Sequence, residues 1–522
     1  MSRAAHYSEG CGLAQGFSAG SRWRGGDIGR LLREALGDDR VADDPWERRL
    51  FDHDVAPTLS LLELMYRTTP DAVVRPRDTE QVSTVLRLAN KHRFPVIPRG
   101  AATWGLGGSV PVTGGVVLDL TSMGRVLEVD TSGGTVLVES GAVWQNAIEA
   151  ARKKGLHIGT YPSSYPSATV GGWIAVGGVG VGTCRYGRIG ENIEWLEAVL
   201  PDGTLVESSK DFSQFVGTEG IMGVVTKARL RAHPLPDTLV PVSYAFPDLE
   251  SAGPFVGQVA RDGEPLEHLM FADAKNFEWR RLSGIETGVE SSLVTVVLAG
   301  PRESVESRRR ALDERARSSG GRRAPDGVAE NEWRERSREY RMRRAGTGSL
   351  PGEVLVPAAR WGEAITGAYG LIRSHRLNAV VKGTLADKGG ILLTPSYLID
   401  ERQQRRSMAA MTFNYRLAEL ALGLGGRPVG LGIYLAFLLE RARRQEEVSR
   451  LREMKRRLDP NGILNPGKLL VGRNRFGMPM PPGASVLMMK LYSMLRSRME
   501  PERFLAAAPQ GDRAPPTERR RA

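Results

Sequence analysis

Two glycine-rich stretches constrain this chain more than any other feature of it. The first, PRGAATWGLGG from Pro98 to Gly108, follows the apolar run Phe94 to Ile97 and precedes Gly114 to Leu120, and both flanks read as strands. Such a loop lets bare main-chain N–H groups converge on an anion, because glycine tolerates φ > 0 and has no Cβ to block approach. The second, Tyr161 to Gly190, holds eight glycines among small and β-branched residues, a composition that predicts irregular backbone without a helix. Buried irregular backbone must have its polar groups satisfied, and a large polar ligand is one way to do it. Joined by one helical segment, the two stretches are read as two walls of a single ligand groove; the plain alternative is a pair of surface loops.

A length of 522 residues exceeds one ordinary core and predicts two or three domains. Hydrophobic content of 41% and charged content of 25% are those of a soluble globular chain. The formal net charge of +12 reflects arginine clusters at 308–310, 341–344, 441–444 and 519–521. No nucleic-acid-binding motif accompanies them, so they are read as solvated faces, and nucleic acid is not expected as a partner. Cys11 and Cys184 are the only cysteines. Two thiols exclude a disulfide framework and an in-chain iron–sulfur cluster, which makes a reducing, cytoplasmic setting the default. No apolar run approaches a membrane span, and residues 1–26 read as disordered.

Further along, Ile28 to Leu36, Pro45 to Phe51 and Leu59 to Met65 read as short helices. A helix capped by Thr79 runs to His92, with apolar residues at Val82, Val85, Leu86 and Ala89. Hairpins are expected at 126–140 and, across Pro201-Asp202-Gly203, at 193–207, followed by a strand from Val224 to Arg231. From Pro236 strands alternate with helices, predicting an α+β sheet with helices on one side; Gly320 to Ala329 reads as a loop. Glu401 to Leu420 and Leu431 to Leu458 read as helices. Ser485 to Arg496 is an amphipathic basic helix with Leu487, Met488, Leu491, Met494 and Leu495 on one face. That helix suits docking on its own domain, on a partner or peripherally on a membrane.

From Pro70 to about Leu235 the chain resembles the FAD-binding domain of the vanillyl-alcohol oxidase and p-cresol methylhydroxylase (PCMH) type. The resemblance rests on PDAVVRPRDTEQVSTVLRLANKHRFPVIPRGAATWGLGG, VVLDLTSMGRVLEVD, SATVGGWIAVGGVGVGTCRYG, LEAVLPDGTLVE and FVGTEGIMGVVTKARLR, in that order, and on the closing MKRRLDPNGILNPGKLL. It implies an α+β chain: a two-subdomain FAD-binding unit at 27–235, an α+β cap at 236–400, a helical segment returning at 401–472, and a basic tail at 473–522. It also implies roles for particular residues. The N–H groups of Gly100, Ala101, Ala102, Thr103 and Gly105, after Arg99, would bind diphosphate. Ser167, Thr169, Gly171, Gly172, Gly177 and Gly178 would follow the ring and ribityl side, and Gly223 and Val225 the adenine end or ring edge. Asn465 and Lys468 would approach the flavin from the cap. With Ala101 and Ala102 in the first loop and Cys184 late in the second, the flavin is expected to be non-covalent.

By layout the nearest branch is the D-lactate dehydrogenase and glycolate oxidase flavoprotein group. That group has histidine motifs that bind a metal, whereas the corresponding stretches here, 381–388 and 426–432, contain no histidine. None of the seven histidines shows ligand spacing, so no metal is expected, and each is read as a surface or core residue. The proton-handling residue is then sought at Lys382, beside Val380-Val381, or at Tyr397, while Arg334 and Arg341 are the candidates for clamping a substrate carboxylate. The expected activity is FAD-dependent oxidation of a small alcohol, first of all a 2-hydroxy acid, with electrons passing to an iron–sulfur partner, quinone or dioxygen. An aldonolactone or sugar-alcohol oxidase, a flavin enzyme resembling alkylglycerone-phosphate synthase, and an FAD-binding electron-transfer or assembly subunit remain the alternatives.

Overall fold

The structure is a computed structural model that describes residues 25–56, 65–262, 266–285, 287–338, 341, 348–387, 389–400, 402–470, 478 and 482–503. The helix expected at Leu59 to Met65 lies almost wholly outside these residues. The chain is an α+β protein built on three principal sheets.

The first sheet runs Val41–Ala42, Ala72–Val74, Val116–Asp119, Val96–Arg99 in spatial order, and its last three strands are parallel. Parallel strands need a crossover. The helix Thr79–His92 supplies it, burying Val82, Val85, Leu86 and Ala89 on the sheet at the expected spacing. Its cap is Asp78, not Thr79: the Asp78 carboxylate accepts the Gln81 N–H at 2.9 Å. The second sheet is antiparallel, ordered Val126–Asp130, Thr135–Glu139, Val224–Arg231, Ile193–Val199, Leu205–Ser208. The hairpins therefore form as the turn residues require, and the second glycine stretch packs against this sheet through Val170, Trp173 and Ile174.

The glycine density of that stretch misleads at two places, the single turn Thr183–Tyr186 and a longer segment before it. Val170–Val176 is helical and stops at Gly177 in the left-handed region (φ 67°). Burial of Val170, Trp173 and Ile174 overrides the poor helix propensity of Gly171 and Gly172. Gly171 is also obligatory, since a Cβ there would stand 2.6 Å from Ser140 Cβ and 3.0 Å from its carbonyl oxygen.

The third sheet, eight-stranded and antiparallel, is ordered Arg322–Arg323, Thr238–Phe246, Ser292–Gly300, His268–Ala272, Lys382–Leu385, Gly390–Leu393, Val354–Pro357, Arg427–Pro428. On its outer face Val242, Tyr244, Leu269, Phe271, Val294 and Val296 pack against helices that include Gly253–Asp262, Arg302–Ser318 and Trp361–Ser374. Helices occupy the inner face too, contrary to the one-sided expectation. Ala274–Leu282 contributes Phe277, and Asp326–Glu335, in the segment read as a loop, contributes Val328; both join Leu293 in a small apolar cluster.

The helix Gln404–Gly423 forms as expected, but Leu431 to Leu458 is broken. It divides into a 3-10 turn at Ala436–Leu438, a short helix Leu439–Ala442 and a longer one Gln445–Leu458. After it, Leu464 bridges to Val96 in parallel, tying the closing signature to the first sheet. The helix Pro482–Arg496 packs along Gln404–Gly423, and its Ser493 and Arg496 bond to His375 at the end of Trp361–Ser374. Its other face leaves Leu487 (59%), Leu491 (49%), Met494 (59%) and Leu495 (49%) exposed. No helix among the described residues is long and apolar enough to cross a membrane.

Arg496 is fully buried and donates to Glu502 at 2.7 and 2.8 Å and to the His375 carbonyl at 2.9 Å. Arg496→Met leaves the buried Glu502 carboxylate without its hydrogen-bonded cation, with Arg406 still 3.8 Å away, a loss of about 3 kcal/mol. The expected result is at least tenfold faster proteolysis within 482–496 with flavin content unchanged.

Candidate active site

A cleft of about 350 Å³ lies between the first two sheets and the inner face of the third. The strand Val96–Arg99 delivers the first glycine stretch at its carboxyl end, where parallel sheets accept ligands. Both glycine stretches line the cleft and they touch. A Cβ on Gly100 would overlap Thr169 Oγ1 and stand 3.7 Å from Gly172 Cα. The N–H groups of Gly100, Ala101 and Ala102 donate to nothing among the described residues. Ala102 adopts φ 51°, a strained left-handed conformation that turns successive N–H groups inward as an anion nest. Thr169 Oγ1 is buried without a partner. Bare amides, an orphaned hydroxyl and glycine-rich walls are what an elongated dinucleotide diphosphate requires, so the residues fit a flavin nucleotide.

The loops are held from behind. Asp54 accepts the N–H groups of Ala56 (2.8 Å) and Gly107 (2.6 Å). Glu219 accepts those of Leu431 (2.8 Å) and Gly432 (3.0 Å). Asn465 donates to the carbonyls of Gly108 (3.1 Å) and Glu219 (2.7 Å), and Lys468 donates to Val110 (2.5 Å).

Opposite the loops, strand alternation puts every second residue into the cleft. His268, Met270 and Ala272 point inward from one strand, Leu293 and Thr295 from its neighbour on one side, and Lys382 and Thr384 from that on the other. Two family models match the chain: "FAD binding domain" at residues 70–209 and "FAD linked oxidases, C-terminal domain" at 235–469. D-lactate dehydrogenase of Archaeoglobus fulgidus is 30% identical over 422 residues, 76% of this chain and 91% of that protein. The chain belongs to the FAD-linked oxidases. Glycolate oxidase subunit GlcD of Bacillus subtilis is 25% identical over 465 residues, covering 85% of this chain and 96% of its own. A solved structure of p-cresol methylhydroxylase with substrate bound superposes with a TM-score of 0.73 at 17% identity, over 86% of this chain and 97% of that one. FAD is therefore the cofactor of this oxidoreductase, and the PCMH-type fold is established.

In this FAD-linked oxidase, Arg99, Gly100, Ala101, Ala102, Thr103, Thr169, Gly171, Gly172, Gly178, Gly223, Val225 and Lys382 line the cleft, as their sequence positions suggest. Other candidates lie elsewhere. Ser167 is exposed and turned to Ser164, Gly105 is packed against Val55 and Ala56, and Gly177 is packed against Gly217. Asn465 and Lys468 sit behind the loops, not over the flavin side, since their bonds run to loop carbonyls. Tyr397 is wholly buried in the outer core against Phe413, its ring centroid 5.2 Å away, and burial drives its phenol pKa upward. Arg334 is exposed beside Asn331, and Arg341 pairs with Glu335 at 3.3 Å. Neither arginine lines the cleft. Cys184 faces the carbonyls of Leu266 and Glu267 at 3.6 and 3.9 Å, also outside the lining.

The lining adds residues that the sequence reading passed over: His268, Arg280, Glu332 and Arg336. Alternation along Leu266 to Ala272 was the available signal for His268. Burial lowers its pKa to about 3, and its Nδ1 accepts the Gly182 N–H at 3.4 Å. The ring is then neutral with its proton on Nε2, a donor rather than a base. Arg336 joins the two halves of the molecule, donating to the Tyr161 hydroxyl at 3.0 Å while stacked 3.9 Å over Trp333. No group of three or more His, Cys, Asp or Glu side chains among the described residues is arranged to hold a metal.

Gly171→Ala should abolish flavin incorporation, read as loss of the visible flavin band relative to protein absorbance, because Ser140, at the end of an internal strand and bonded to the Thr226 carbonyl at 2.9 Å, cannot yield. Burial pushes Asp54 up to about 6 from 3.8. The folded chain keeps this proton to higher pH than the unfolded one. The resulting contribution, about 3 kcal/mol at 1.36 kcal/mol per unit, is full below pH 4 and lost as pH rises through 6. Between pH 4 and 7 the thermal midpoint of the wild type should therefore fall by several degrees relative to Asp54→Asn.

Proposed function

We propose that this chain oxidises the carbinol carbon of a small 2-hydroxy acid and passes the electrons to a separate acceptor. The observation that carries the reading is the chemistry of the cap face: Lys382, Thr384, Arg280 and the neutral His268 face two loops whose open main-chain amides and unpartnered Thr169 hydroxyl suit the cofactor. Relatives named D-lactate dehydrogenase and glycolate oxidase support it. Bound FAD supplies a two-electron acceptor for hydride. The chain's part is to bring an anionic alcohol to it and exclude water. Lys382, beside Thr384 on a strand paired with His268–Ala272, is assigned to the substrate hydroxyl, and His268 Nε2–H offers a hydrogen bond without taking up a proton. The cleft walls remote from the loops, Met270, Phe277 and Leu293, keep the reacting carbon dry.

Anaerobic mixing with D-lactate, glycolate and a sugar lactone tests the reading at the flavin absorbance. A hydroxy acid should bleach the band and the lactone should not, with acid precipitation releasing the flavin into solution. Dithionite bleaching without bleaching by any hydroxy acid would refute the reading. Reoxidation by dioxygen, by a quinone or by neither then sorts the acceptors.

A further inference from the structure

Beyond the glycine loops the cleft runs on into a chamber over the inner face of the cap sheet. Its floor is Leu293 and Thr295, and its walls are the helices Ala274–Leu282 and Asp326–Glu335. Across it stands a buried ion pair. Arg280, 9% exposed, donates through Nη1 alone to both oxygens of Glu332, at 2.8 Å each. Its guanidinium carbon sits 5.4 Å from the centroid of the Phe277 ring.

A purely structural arginine–carboxylate pair spends two parallel N–H groups on the two oxygens. Here both oxygens share one nitrogen, and Nη2 is buried in a cavity-lining residue with no partner. A charged donor left unmet away from water is costly, which marks this edge for an acceptor that enters the chamber. The other cleft arginines of the cap are differently committed. The terminal nitrogens of Arg336 serve the Trp333 carbonyl and the Tyr161 hydroxyl, although its Nε is also unpartnered, and Arg338 pairs with Glu335 at 2.8 Å.

The position of Arg280 says which part of a substrate it meets. Phe277 and Leu293 place its helix over the strand Ser292–Gly300, two strands from the one that carries Lys382. Strands about 4.8 Å apart separate the two sites by roughly 10 Å at the backbone. That exceeds the span between the hydroxyl and carboxylate of one carbinol acid, and the ground between is apolar: Leu293, with Phe277 packed on it, and Ala272, the register partner of both Leu293 and Lys382.

We propose that Arg280 is a specificity-determining residue that binds a second acidic group of the substrate, remote from the carbinol, through Nη2, with Glu332 fixing the plane of the guanidinium. The substrate class is then a 2-hydroxy diacid with a short methylene spacer. This rests on the hydroxy-acid reading above.

The test uses the FAD-loaded enzyme. In anaerobic flavin reduction, the apparent Kd should fall at least tenfold from lactate through malate to 2-hydroxyglutarate. Arg280→Met should erase that preference, and Arg280→Lys should keep part of it. Glutarate and 2-oxoglutarate, which donate no hydride, should perturb the visible flavin spectrum of the wild type and bind at least tenfold more weakly to Arg280→Met and Glu332→Gln. Normal flavin content certifies that each variant is folded. A wild type that prefers lactate, or variants that bind glutarate as the wild type does, would overturn the proposal. If no hydroxy acid bleaches the flavin while glutarate binding still depends on Arg280, the reaction is misassigned and the anion site stands.

Discussion

The cofactor loops have few side chains with which to hold their own shape, and the rest of the structure depends on buried groups that hold it for them. Asp54 and Glu219 each accept two main-chain N–H groups from inside the protein. Both carboxyls are pushed up by burial, and Lys468 is pushed down to about 7 by the same cause. Ionisable groups are kept in such places when backbone polar groups need satisfying and no secondary structure is available to do it. What they secure is a row of amides at Gly100, Ala101 and Ala102 left open toward the cleft.

The cap uses the period of the β-strand to serve two masters. One set of alternate positions, which includes Leu269, Phe271, Val294 and Val296, builds a conventional apolar core with the outer helices. The positions between them, His268, Met270, Thr295, Lys382 and Thr384, form the wall facing the flavin loops. A one-residue slip in any of these pairings would exchange core for site. The register is thus a functional constraint as much as a structural one, and the long pairing of Thr238–Phe246 with Ser292–Gly300 anchors it.

The fold and the cofactor half of the site were legible because their signals are local. Glycine spacing, Pro201-Asp202-Gly203 and the apolar period of 79–92 each act within a few residues, and strand 224–231 was placed to the residue. The substrate half was not, because it is made by elements with weak patterns. The first turn of Asp326–Glu335 falls in the stretch Gly320 to Ala329 that reads as a polar insertion, since only Ala329 and Glu332 of the helix are buried. From a run of arginines nothing local tells Arg336, stacked on Trp333, from the solvated Arg334 two residues earlier. Tyr397 failed for the opposite reason: its apolar neighbours signal burial correctly, but in the outer core rather than the cleft. Arg280 escaped notice because what distinguishes it, a single nitrogen shared by both oxygens of Glu332, exists only once two distant helices meet.

The brace behind the loops comes from late in the chain. Asn465 and Lys468 fasten Gly108, Val110 and Glu219, and Leu464 joins the strand at Val96. During synthesis at about 5–20 residues per second, the nascent first loop must therefore wait on the order of 20–70 s for its fastening to emerge from the ribosome. Through that interval the amide nest is shaped by Asp54 at most, and FAD captured early would sit in a half-built cradle. Tight retention of the cofactor becomes a property of the finished polypeptide, so truncated or stalled products should be born without colour.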